Sequence, residues 1–132
     1  MKETRNKGII LQPNKDGTFI TNIYVDANFA GGWGSKLGTN PDSVKSRTGY
    51  IINVANVPIL WISCMQGGIA CSTMEAEYIV LSMSLRAAIP FLNLLKEVAN
   101  GLKYNKARQL TFAATVHEDN QGALILACLE PG

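Results

Sequence analysis

The stretch Cys71-Ser72-Thr73-Met74-Glu75-Ala76-Glu77-Tyr78 constrains this chain more than any other. It begins the longest helical pattern in the sequence and sets two carboxylates two residues apart at its start. Ser72 followed three residues later by Glu75 has the form of a capping box: the Ser oxygen accepts a backbone N–H of the first turn, and the Glu side chain reaches back to the Ser72 N–H. Glu77 has no such duty. It is followed by Tyr78, Ile79, Val80, Leu81 and Met83, so it enters an almost wholly apolar helix on which an unpaired carboxylate is costly. A buried carboxylate there requires a cation; a partly exposed one paired with Lys or Arg is the alternative.

What precedes the helix reads as strand. Phe19 to Val25 alternates, is rich in β-branched and aromatic residues, and ends at Asp26. Gly49 to Val54 and Pro58 to Ser63 are two further strands, joined by the tight connection Ala55-Asn56-Val57 that a hairpin needs. A polar, glycine-rich loop runs from Gly31 to Asp42. Pro90 either kinks one long helix or begins a second one over Phe91 to Asn100, with Gly101 in the C-cap position. Leu110 to His117 is a fourth strand ending in Glu118-Asp119-Asn120, and Ala123 to Cys128 a short closing helix. This order makes a mixed α/β sheet with helical cover.

The chain's 132 residues, 47% of them hydrophobic, suffice for one domain. A net charge of +2 permits a polyanionic partner without demanding one. Cys64, Cys71 and Cys128 stand in no metal-ligand spacing and His117 is the single histidine, so no zinc site is expected. The cysteines read as reduced, buried small hydrophobes of an intracellular protein, cytoplasmic or nuclear. No apolar run approaches membrane-spanning length and no signal peptide opens the chain, so no membrane is expected as a partner.

Asp26, Glu77 and Asp119 fall at a strand end, in the first turns of the long helix and at a second strand end. Strand ends are where ligand sites gather in α/β sheets, provided the strands are neighbours. Carboxylates without His or Cys select a hard cation, Mg²⁺ or Mn²⁺. Such ions, used in pairs, activate a water and stabilise the leaving oxygen in phosphodiester cleavage.

Five blocks carry a resemblance: Tyr24-Val25-Asp26-Ala27-Asn28-Phe29-Ala30-Gly31, Ser46-Arg47-Thr48-Gly49-Tyr50, Trp61, Ser72 to Tyr78, and Glu118-Asp119-Asn120-Gln121-Gly122-Ala123. In this order, over roughly residues 19 to 127, they resemble the ribonuclease H domain of copia-type retrotransposon polyproteins. The resemblance implies a ribonuclease H-like fold, Mg²⁺ dependence with two ions in the complete domain, and cleavage of the RNA strand of an RNA–DNA hybrid. It also implies a reverse transcriptase domain in the same polyprotein. Asp26, Glu77 and Asp119 match the family's first three acids as catalytic and metal-binding residues. Residues 1–17 resemble the tail of the preceding polymerase connection, leaving 18–132 as the nuclease domain.

Departures are also present. Asn28 and Phe29 stand where the family has an acid and a Trp, and Glu118 where it has a Cys. The family's fourth aspartate, which follows a basic stretch and a histidine, has no counterpart before Glu130-Pro131-Gly132. The resemblance therefore implies a domain incomplete at its C-terminus, with weak or no turnover. Glu118 reads as a solvated strand-end residue facing away from Asp119, because adjacent strand residues point opposite ways. His117 reads as half in the core, and Trp33 and Trp61 as packing residues, with Trp33 also able to touch nucleic acid. A near-A-form hybrid is held through phosphates and shape, for which Lys36, Lys45, Ser46, Arg47 and Thr48 around the glycine-rich loop are candidates. A non-catalytic ribonuclease H-like module is the second reading, and an integrase-like DNA enzyme of the same superfold a third.

Overall fold

In a computed structural model the chain forms β1 (Phe19–Asn28), a 3-10 turn (Pro41–Val44), β2 (Arg47–Val54), β3 (Val57–Met65), α1 (Thr73–Gly101), β4 (Phe112–His117) and α2 (Gln121–Cys128). The structure describes residues 8, 10–14, 19–32, 41–102 and 112–129. The four strands lie in one sheet in the order β3-β2-β1-β4. β1 and β3 each pair antiparallel with β2, and β4 returns parallel to β1. A parallel return needs a long crossover, which α1 supplies. This is the mixed α/β architecture of a ribonuclease H-like fold.

Alternation decides which face is covered. Thr21, Ile23 and Val25 of β1 are buried, and so are Thr48, Tyr50, Ile52 and Val54 of β2. Ile23 pairs with Ile52 on one side and Val116 on the other, so three strands put an apolar side chain at the same level of the inner face. α1 packs there through Val80, Leu81 and Ala88, completing the core. The helix is as long and apolar as a membrane span, contrary to the expectation that no run would be, but its buried stripe is taken up by the sheet.

The β2–β3 turn is two residues, Ala55 and Asn56, both with positive φ (49° and 67°), as a primed hairpin turn requires. Val57 is already strand, paired with Val54. Of the lead-in, Asn14 donates its N–H to the Ala55 carbonyl (3.0 Å) and accepts from the Asn56 amide, pinning that segment to the turn.

α1 begins as its sequence dictates. Ser72 Oγ accepts the Glu75 N–H at 3.0 Å, but Glu75 Oε2 takes the Cys71 N–H at 2.7 Å, one residue before the expected Ser72 N–H. The helix then continues through Pro90. That proline cannot donate to the Arg86 carbonyl, and both residues are exposed, so the freed carbonyl is not shut away in the core. Gly101 is the last helical residue and Leu102 the cap, its N–H donating to Val98 O. The cysteines depart from expectation: all three are free, but Cys71 and Cys128 are exposed and Cys64 is half-buried.

Candidate metal centre

Glu77 reaches the sheet because the first turn of α1 is tied down. Gln66, buried just after β3, donates through Nε2 to Ala76 O (3.0 Å) and Thr48 Oγ1 (3.4 Å), while its own N–H donates to Ser46 O (2.9 Å). One amide thus clamps the helix start to β2, and the next helical residue is Glu77. Nothing in the local sequence marked Gln66 for this work, since its partners are set by the packing of distant elements.

Glu77 is 7% exposed. The Ala27 N–H donates to its carboxylate, but Oε2 is buried with no hydrogen-bond partner. Among the described residues no lysine or arginine pairs with it, which removes the ordinary helix ion pair as its explanation. Burial first, then the charge of Glu118, push its pKa up to about 7 against the bonding from Ala27, and Asp26 and Asp119 add in the same direction.

Glu118 is where expectation fails most. β4 ends at His117, so Glu118 is past the last strand residue and strand alternation no longer governs it. It turns inward: Oε1 accepts the Asn120 N–H at 2.9 Å and Oε2 is buried without a partner. Burial raises its pKa despite the bonding of the Asn120 and Asp119 N–H groups, and the charges of Asp119 and Asp26 raise it further. Asn120 caps α2 by accepting the Ala123 N–H at 3.0 Å.

The carboxylate oxygens of Glu77, Glu118 and Asp119 lie within 4.8 Å of one another. Oxygens around one Mg²⁺, each about 2.1 Å from it, are about 3.0 Å apart when adjacent and about 4.2 Å when opposite, so the trio draws together on binding an ion. Asp26 stands beside the trio. Strand β1 runs on to Asn28, so Asp26 lies within the strand rather than at its end, exposed on the outer face opposite Gly49, which offers no side chain. It shares a cavity of about 430 Å³ with Glu118 and Asp119, and its charge acts on both Glu77 and Glu118. The donor set is all oxygen, and two of its atoms are buried and unpartnered. That combination fits a hard divalent cation.

The basic candidates separate. Ser46 and Thr48 are wholly buried, with Ser46 Oγ accepting the Ala30 N–H (3.2 Å) and Thr48 on the inner face against Met83. Their side chains are not surface contacts. Lys45 is paired with Asp42 at 2.7 Å, and Arg47 is exposed at the start of β2. Lys36 and Trp33 lie outside the described residues. Trp61, expected to pack, is 62% exposed on the outer face, and His117 is exposed rather than half in the core.

Over 128 residues, 97% of its length, the chain is 32% identical to a retrovirus-related Pol polyprotein from transposon RE1 of Arabidopsis thaliana. It is 31% identical over the same length to the corresponding polyprotein from transposon RE2 of that plant. The chain spans 7% and 8% of these relatives. No family model matches the chain, and no solved structure matches it. The chain is thus similar to a short segment of retrotransposon Pol polyproteins.

Proposed function

We propose that this segment of a retrotransposon Pol polyprotein is a ribonuclease H domain that hydrolyses the RNA strand of RNA–DNA hybrids, with Asp26, Glu77 and Asp119 as its acids. One observation carries the reading: carboxylates from β1, α1 and the β4–α2 connection gather at one end of the sheet, two of them with a buried oxygen that nothing in the described protein satisfies. Neutral atoms such as Thr21 Oγ1 and Asn53 Oδ1 are also buried without a partner, but two carboxylate oxygens in one acidic cluster are the costlier case, and a cation would meet both. The similarity to Pol polyproteins supports the reading; in it the chain would act on hybrids made by reverse transcription, beside a polymerase domain of the same polyprotein and inside the cell.

Glu77, Glu118 and Asp119 would hold a divalent cation, Mg²⁺ or Mn²⁺, with Asp26 closing the site from the outer face. When bound, the ion supplies positive charge for the scissile phosphate and lowers the pKa of a water. The protein's own part is preorganisation. The Ala27 N–H and the Gln66 clamp hold Glu77 in place, and the Asn120 N–H fixes one oxygen of Glu118 so that the other faces the cluster. Glu118 joins the three matched acids as a ligand. Arg47 offers a phosphate contact of the kind that orients a duplex without reading its bases.

Incubation with Mg²⁺ and three labelled duplexes, RNA–DNA hybrid, DNA and RNA, tests the reading. Slow internal cuts confined to the RNA strand of the hybrid, abolished by EDTA, are expected. Hybrid bound but uncut would favour a non-catalytic module, and cleavage of duplex DNA would assign the site to another nuclease class.

A further inference from the structure

The cavity that holds Asp26, Glu118 and Asp119 is also lined by Tyr24 and His117, two groups for which the acids have no need. Tyr24 precedes Asp26 by two residues on the outer face of β1, and His117 is the last residue of β4, directly before Glu118. The two are paired in register across the parallel strands, and their rings stack with centroids 4.4 Å apart and planes 11° from parallel. His117 is held there from its other side: Nε2 lies 3.0 Å from Asn22 Oδ1, a bond in which the ring N–H donates. Tyr24 remains 43% exposed and His117 is exposed as well. β4 is the edge strand, so the stack stands at the margin of the sheet rather than in its middle.

Three clustered carboxylates with Asp26 beside them repel a phosphate until a cation intervenes, so a strand placed there gains from an uncharged contact alongside. Aromatic rings fixed in position and open to solvent are what a nucleobase stacks on, whatever its sequence, because every base has a π-face. We infer that the Tyr24–His117 stack is a nucleoside seat: it takes a base turned out of the duplex beside the phosphate that lies at the acids, and so holds that strand in place. The inference rests on the nuclease reading and adds to it a substrate contact made by ring stacking. Tyr24 and His117 are positioning residues, outside the reacting atoms. Removing either ring is expected to weaken attachment of the strand and leave the chemical step alone.

His117 is the chain's single histidine, so its ring C–H protons form a one-site probe in proton NMR. At fixed pH 8 with Mg²⁺, titration with a single-stranded oligoadenylate of eight nucleotides is expected to shift those protons upfield, by ring current, in a saturable way. In parallel, Tyr24→Leu and His117→Leu are expected to raise the KM for hybrid on the order of tenfold, the scale of one lost base stack, with kcat unchanged. Circular dichroism checks that both variants fold. Hybrid cleaved with unchanged KM by both variants, with the His117 resonances unmoved, overturns the seat and leaves the nuclease reading intact. Resonances that move in a chain that cuts no hybrid leave the seat and remove the nuclease; neither effect removes both.

Discussion

Glu77→Gln is expected to stabilise the metal-free chain at pH 8 by about 3 kcal/mol, while abolishing any stabilisation by Mg²⁺. The carboxyl's pKa rises from 4.5 in the unfolded chain to about 7 in the fold, and each unit is worth about 1.4 kcal/mol. Because the folded value is the higher one, the fold binds the proton more tightly than the unfolded chain does. Stability from this group is fully present below pH 4.5 and is lost as pH rises to about 7, after which the profile is flat. Glutamine mimics the protonated form and still accepts from the Ala27 N–H, so the variant and the parent should coincide near pH 4 and diverge above it. Urea unfolding in EDTA across this range measures the divergence, and parallel profiles would contradict the strain assigned to Glu77. With Mg²⁺ the order changes: at tenfold excess over its dissociation constant, an ion bound only by the fold adds about 1.4 kcal/mol to the parent. The variant gains nothing.

Asp26→Asn is expected to lower turnover on hybrid by about 100- to 1000-fold, the scale of removing one group aimed at transition-state charge. The fold should hardly notice. Asp26 is exposed and faces Gly49, and surface substitutions of this kind usually stay within about 0.5 kcal/mol. The loss should fall on kcat, because the phosphate contacts proposed for residues such as Arg47 would hold the duplex without Asp26. Steady-state kinetics with unfolding curves on the same preparations checks both halves. Turnover within tenfold of the parent would remove Asp26 from the reaction, and a collapse in stability would reveal a structural carboxylate instead.

The sheet was legible because each strand carries its own alternation and the β2–β3 turn its own chemistry: Ala55 and Asn56 are bounded by apolar runs that must pair back to back. The Ser72 cap is equally local, a hydroxyl and an N–H three residues apart. That Glu77 and Asp119 come close followed from a helix start and a strand end, quantities that order along the chain approximates well, whereas Asp26 stands outside that cluster, exposed on the outer face. What escaped depends on where an element stops or on what packs against it. Glu118 was misplaced because the alternation of β4 was carried one residue too far, past His117. Ser46 and Thr48 look like loop hydroxyls in sequence, yet they are buried where β2 meets the segment after β1. Trp61 carries a ring that favours burial, but its strand position sends it to the uncovered outer face. Pro90 is tolerated inside α1 because the helix shows solvent its proline side, which the sequence around it does not reveal.

Crystals of the full chain grown with Mn²⁺ and measured at the manganese absorption edge test the central claim most directly, because the ion's anomalous signal marks its position without reference to activity. The account predicts a peak among Glu77 Oε2, Glu118 Oε2 and the Asp119 carboxylate, with Asp26 in its coordination shell or one water away, and its loss in Glu77→Gln. A saturated Mn²⁺ soak that leaves this cluster without a peak would contradict the account, whatever the chain does to nucleic acid.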